Sequence, residues 1–134
     1  MAKNIDSLFI SPDASIRQAM QVIESGPHRA GLSGLAIVVD DLGRLVGVVT
    51  DGEIRSAILH DMSLETNVAA IMTVDPIAVT NVTTPMQMYE RVVDMLKGST
   101  RMLDRGAGKI LVVDDERRVV DVISFLNLWQ QADV

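Results

Sequence analysis

Gly34-Leu-Ala-Ile-Val-Val-Asp40-Asp41-Leu-Gly-Arg-Leu-Val-Gly-Val-Val-Thr50 returns further along the chain as Gly108-Lys-Ile-Leu-Val-Val-Asp114-Asp115-Glu-Arg-Arg-Val-Val-Asp-Val-Ile-Ser124. Val39 recurs as Val113, Thr50 as Ser124 and Ile54 as Leu128, each 74 positions on. Strand, turn, strand and following helix therefore all repeat in register, which is the mark of a tandem duplication whose two lobes share an interface. Leu35 to Val39 and Ile110 to Val113 are unbroken aliphatic runs, as expected of strands covered on both faces. Asp40-Asp41-Leu42-Gly43-Arg44 signals a tight turn between antiparallel strands. Asp114-Asp115-Glu116-Arg117-Arg118 lacks the glycine, so a turn without an obligatory positive φ is expected there.

Outward from these hairpins, each repeat reads as extended segment, helix, strand, turn, strand, helix. Leu8-Phe9-Ile10 leads into Ser15-x-x-Gln18, a capping box that satisfies two orphan amides at a helix start. Ile16, Ala19, Met20, Val22 and Ile23 then share one helical face. Ile77-Ala78-Val79 leads likewise into Thr84-Pro85-Met86-Gln87, with proline at the first helical position and Tyr89, Val92, Val93 and Leu96 on one face. The connection from this helix to its strand, Gly98 to Gly108, is longer than its counterpart in the first repeat. His60 to Asn67 is a polar connector, and Val68-Ala-Ala-Ile-Met72 reads as one short helical turn. We divide the chain into a first repeat, 1–66, and a second, 67–134.

At 134 residues, 48% hydrophobic and 22% charged, the chain buries the core of one ordinary domain, whereas half of it alone would be marginal. The net charge of −6 disfavours a nucleic-acid partner, which requires clustered basic surface. With no cysteine there is no disulfide, thiol nucleophile or thiolate metal cluster, and no run approaches membrane-spanning length, so a cytoplasmic protein is expected. The two histidines, His28 and His60, have no carboxylate spacing around them that would make a metal site. No Ser-His-Asp set or P-loop can be assembled, so the chain is read as a non-enzyme. Eight methionines against 3% aromatics are read as flexible core filler.

These residues resemble the tandem cystathionine β-synthase (CBS) domain pair, also called a Bateman module. The resemblance is carried by Val68-x-x-Ile71-Met72-Thr73-x-x-Pro76-Ile77-x-Val79 and by Val46-Gly47-Val48-Val49-Thr50-x-x-Glu53-Ile54, and runs from Leu8 to about Trp129. Leu8 to Ser15 and Thr50 to Arg55 also look like CBS pairs found ahead of sugar-nucleotide transferase domains. The resemblance implies an α/β fold of two βαββα repeats packed about a pseudo-twofold axis. It also implies two clefts in their seam that accept adenosyl ligands such as AMP, ADP, ATP or S-adenosylmethionine, with no cofactor required. By that resemblance Thr50 and Glu53 face Ala78 and the Gly106-Ala107-Gly108 loop. Thr50, at a helix start, would meet a phosphate, and Glu53, where the family usually has aspartate, would meet the ribose hydroxyls. The second cleft would combine Ser124 and Asn127 with Phe9, Leu32 and Ser33.

Asn127 replaces the acid, and Asp121 replaces the first repeat's glycine, so this second cleft is expected to be the weaker or to stay empty. Thr50-x-x-Glu53 is equally a plain capping box, a role that needs no ligand. Asp51 is read as a dipole partner, while Arg55, His28, Arg29 and Arg105 are read as solvated side chains near the clefts. Function divides between two readings. One is a regulatory adenine-nucleotide sensor controlling a catalytic domain in cis or trans. The other is a ligand-free dimerisation module. A homodimer is expected in either case, through Ile54, Ala57 and Ile58 with Phe125, Leu128 and Trp129.

Overall fold

Aliphatic runs on either side of an Asp-led turn form the same hairpin twice, and everything else is arranged around that pair. The structure, a computed structural model, describes residues 5–25, 34–74, 76–80, 84–96 and 109–124. In the first repeat β1 (Phe9–Ile10) runs parallel to β2 (Leu35–Val39), which pairs antiparallel with β3 (Leu45–Thr50). In the second, β4 (Ala78–Thr80), β5 (Lys109–Val113) and β6 (Val119–Ser124) repeat that order. Even the bulge is copied, between Val38 and Val39 and again between Val112 and Val113. The helices are α1 (Ile16–Ser25), α2 (Asp51–Leu59) and α3 (Pro85–Leu96). The segment from 125, where a fourth helix is expected, lies outside the described residues. The chain is thus an α/β fold of two repeated units, each with its own three-stranded sheet.

Alternation along the strands sends side chains to two layers. Leu35, Ile37, Val39, Leu45 and Val48 meet Leu111, Val113, Val119 and Val122 in one continuous core between the two sheets. The opposite faces go to the helices. Ala36, Val38 and Val49 pack on Ile16, Ala19, Ile54 and Ala57, and Ile110 and Val112 pack on Val92. Each fully buried aliphatic side chain contributes about 1.5–3 kcal/mol, and this division of the strands lets half of that burial bind the repeats to each other.

The helix starts follow the sequence. Ser15 and Gln18 exchange hydrogen bonds at 2.8 and 3.1 Å, and Thr84 and Gln87 at 3.0 and 3.2 Å. Val68–Ala70 is a single 3-10 turn, as its short apolar run suggests. The polar connector is bound to the first repeat. Ile16 and Arg17 donate to the Thr66 and Leu64 carbonyls at 2.9 Å, and Val48 and Thr73 pair through both backbone groups at 3.0 and 2.9 Å. Gly47 makes that pairing possible, because a Cβ there would lie 2.7 Å from the Thr73 carbonyl oxygen.

One turn departs from expectation. Arg117 occupies the position of Gly43 and takes its left-handed conformation, φ 67° against 79°. Two sets of hydrogen bonds hold it there. Asp114 Oδ1 accepts from the amides of Glu116 and Arg118 at 2.9 Å, and the Arg117 carbonyl accepts the Leu45 amide of the other repeat at 2.9 Å. A turn fixed from both sides tolerates a residue that glycine would otherwise supply. Among the described residues no helix is long and apolar enough to cross a membrane.

Candidate functional site

Thr50 ends β3 and is also the residue before the first turn of α2, in an extended conformation (φ −119°, ψ 173°) that turns the chain from sheet to helix. It is the one buried polar residue among those described, 9% exposed, and pairs with Leu35 on the face of the sheet that meets the second repeat. Glu53 folds back over it: Oε1 accepts the Thr50 amide at 2.7 Å and the Thr50 hydroxyl at 2.8 Å. The capping box of the sequence is therefore formed, with both protons held on one carboxylate oxygen. Among the described residues Glu53 Oε2 has no hydrogen-bond partner, leaving an acceptor at the head of the helix.

The second repeat supplies the facing wall. Ala78 pairs with Leu111 and packs, half-buried, on the inter-sheet core, a small residue beside a polar corner. Lys109 begins β5 at the position of Leu35, and sequence reasoning passed over it. Its ammonium is held below the ordinary lysine range, chiefly because burial penalises the charge, an effect partly countered by the negative charge of Asp51 at the start of α2. A cation of the second repeat thus lies within electrostatic reach of Asp51, the residue that follows Thr50 in the first. Asp51 Oδ2 also lies against Gly34, where a Cβ would sit 3.3 Å away at φ 77°. The available signal was a lysine standing where the first copy has a core leucine.

Of the other expected residues, Phe9 lies on β1 opposite Ile37 and packs on the inter-sheet core, and Ser124 ends β6 opposite Lys109. Leu32, Ser33, Gly106, Ala107, Gly108 and Asn127 lie outside the described residues, as do His28, Arg29, Arg105, Phe125, Leu128 and Trp129. Asp121 requires a correction. Gly47 and Asp121 oppose Val38 and Val112, which belong to the helix-side cores, so these positions face away from the seam. Asp121 therefore stands on the helix side of its sheet and not in the seam where the second cleft is expected. Among the described residues no group of three or more His, Asp or Glu side chains could hold a metal ion. A groove of about 560 Å³ beside α1, lined by Ile10, Ser11, Gln18, Gln21 and Val22, includes none of Thr50, Glu53, Ala78 and Lys109.

The family model for the CBS domain matches residues 1–60. A Helicobacter pylori protein (strain J99) of uncharacterised function is 33% identical over 123 residues, covering 91% of this chain and 33% of that protein. A counterpart in strain 26695 is 31% identical with the same coverage. The chain thus spans about a third of the length of the proteins it matches. Among solved structures, CBSX2 in complex with AMP shares the fold at a TM-score of 0.65 and 18% identity, covering 92% of this chain and 85% of that one. The cytosolic domain of the Mg2+ channel MgtE in complex with ATP gives 0.64 and 22%, covering 91% and 43%. The CBS domains of a transcriptional regulator from Streptococcus pneumoniae give 0.67 and 14%, covering 97% and 93%. The duplicated sheets joined through one core, the family match and the shared fold together make this chain a member of the CBS family, a tandem CBS domain pair or Bateman module.

Proposed function

We propose that this CBS pair is a regulatory module that binds an adenine nucleotide of the AMP, ADP or ATP type at the Thr50 end of its seam. The observation that carries this reading is a buried threonine at a helix start, bonded by the Glu53 carboxylate, with a half-buried lysine of the other repeat within electrostatic reach of the next residue, Asp51. A helix start offers free amides to a phosphate, Lys109 supplies a partly desolvated positive charge, and Glu53 Oε2 accepts from ribose hydroxyls. Ala78 leaves room for a base. The AMP- and ATP-bound CBS pairs of the same fold support the ligand class.

A ligand that touches both repeats favours one arrangement of them, which is the requirement for passing a signal to a partner. The partner we propose is a catalytic domain, in cis or in trans, of the sugar-nucleotide transferase type. The residues around Leu8–Ser15 and Thr50–Arg55 support this type, and the H. pylori relatives extend well beyond the matched third.

A second reading, a dimerisation module without ligand, is favoured by two observations. The Thr50–Glu53 box is complete without a ligand, and Ile58 and Leu59 on α2 are 49% and 75% exposed. Thermal unfolding separates the two. A ligand at about a hundred times its Kd adds roughly 2.7 kcal/mol to the folded state, which raises the midpoint by several degrees, on the order of 5. Unmoved melting curves with AMP, ADP, ATP and S-adenosylmethionine would leave the dimerisation reading standing.

A further inference from the structure

α1, α2 and α3 begin with the same device, and one of the three is built with an atom to spare. Ser15 with Gln18, Thr84 with Gln87 and Thr50 with Glu53 are capping boxes in which the side chain three residues on accepts the amide of the capping residue, at 2.8, 3.0 and 2.7 Å. Glutamine has one acceptor oxygen, which the box consumes. Glutamate has two. At Thr50 a single oxygen, Oε1, takes both the amide and the hydroxyl proton, the latter at 2.8 Å. Both lone pairs of Oε1 are thereby used, and Oε2 stays outside the box. Since glutamine closes the boxes of α1 and α3, the second oxygen of Glu53 and its charge are surplus to the helix start.

We infer that Glu53 reads one ribose hydroxyl, through Oε2, and not the pair. The inference rests on the nucleotide site proposed above and sharpens what that site selects. Adjacent ribose hydroxyls meet a carboxylate in parallel only when each donates to an oxygen of its own, and here one oxygen is committed to Thr50. Rotating Glu53 to release it would strip the Thr50 amide and hydroxyl of their acceptor in a corner where that residue is 9% exposed and little water reaches. That trade gives up two bonds for one. The box therefore persists when the site fills, and Glu53 distinguishes one of the two monodeoxy forms of a nucleotide from the ribonucleotide while remaining blind to the other.

Titration calorimetry with AMP, 2′-deoxy-AMP and 3′-deoxy-AMP, or with the three triphosphates where those bind the parent chain more tightly, tests this on the parent and on Glu53→Gln. Glutamine supplies the box oxygen as Gln18 and Gln87 do, so the variant is expected to keep a cooperative melt and to lose only the charged acceptor. It should weaken the ribonucleotide and one deoxy form by the same factor, about tenfold or more as for a hydrogen bond to a charged group, and leave the other deoxy form within about threefold of the parent. Groups elsewhere that touch the ribose act in both proteins and cancel in these ratios. Partial weakening of both deoxy forms would mean that the carboxylate takes the two hydroxyls, and an equal loss or no loss across all three ligands would mean that it takes neither. Each of these overturns the inference and leaves the nucleotide site standing. Loss of the cooperative melt overturns it too, because the second oxygen would then serve the fold. Failure of both ligand sets to bind the parent removes the proposed site and this inference together.

Discussion

Arg44 and Arg118 lie opposite each other as an antiparallel bridge pair where the two hairpin turns meet, and each guanidinium is held by its own turn aspartate, Asp40 at 2.7 Å and Asp114 at 2.9 Å. Leu45 donates to the Arg117 carbonyl at 2.9 Å and Val119 to the Gly43 carbonyl at 3.3 Å. Among the described residues these are the backbone hydrogen bonds that join one hairpin to the other. Thr50 and Lys109 lie at the opposite ends of these two hairpins, away from the turns. The nucleotide site proposed at Thr50 would therefore lie at the end of the seam where, among the described residues, no backbone bond joins the hairpins.

Acid should loosen the turn end first. The Asp40 carboxyl is held below the usual aspartate range chiefly by the Arg44 amide, and Asp114 likewise by the Arg118 amide. Each therefore stabilises the fold above the unfolded aspartate value, about 3.9, and gives that contribution up as pH falls through its lower folded value. Asp40→Ala and Asp114→Ala are expected to melt several degrees below the parent at pH 7. The gap should close as the pH is taken below about 4. A gap that stays constant over that range would remove the titration from the explanation.

Arg117→Gly is expected to stabilise. A left-handed residue other than glycine costs about 1–2 kcal/mol, and glycine gives back roughly 0.5–1 kcal/mol in unfolded-state entropy. A gain of about 0.5–1 kcal/mol should appear as a higher urea midpoint at unchanged slope. Gly43→Arg, the reverse exchange, should cost a similar amount. A loss on Arg117→Gly would mean that the arginine side chain contributes more than its backbone costs.

How much of this was legible in the sequence depends on where each partner lies. Ser15 with Gln18, Thr50 with Glu53 and Thr84 with Gln87 are partners three residues apart, and their spacing announces them. The apolar runs reveal strands covered twice, and the repeat reveals two sheets. Arg117 was not legible because the bond that holds its carbonyl comes from Leu45, in the other repeat. That Gly47 makes room for Thr73 was not legible either, because nothing near it names that residue as its neighbour. Lys109 was missed for the same reason, its counter-charge Asp51 being far away in the chain.

Gly47→Ala tests the connector packing. The added methyl meets a backbone oxygen at 2.7 Å and the Met72 side chain at 3.1 Å, and only the second can move easily. Overpacking of this kind costs about 1–3 kcal/mol. Equilibrium denaturation should show that loss, together with faster amide exchange at Val48 and Thr73. A fall in stability with unchanged exchange at those two amides would locate the strain elsewhere.

Lys109 carries the most direct test of how the seam reads a ligand. Its charge is disfavoured by burial, so the unfolded chain holds the proton more tightly than the folded one, and stability rises with pH between the lowered folded value and the unfolded value near 10.5. Lys109→Met should abolish that alkaline rise and leave the empty module at least as stable as the parent at pH 7. The same substitution removes the positive charge beside Thr50, so AMP binding should weaken by roughly tenfold or more, in line with about 1.5–3 kcal/mol for a hydrogen bond to a charged group. Adenosine, which has no phosphate, should bind both forms alike. Titration calorimetry with the two ligands decides the matter, because an equal loss for both would mean that Lys109 shapes the base pocket and leaves the phosphate to other groups.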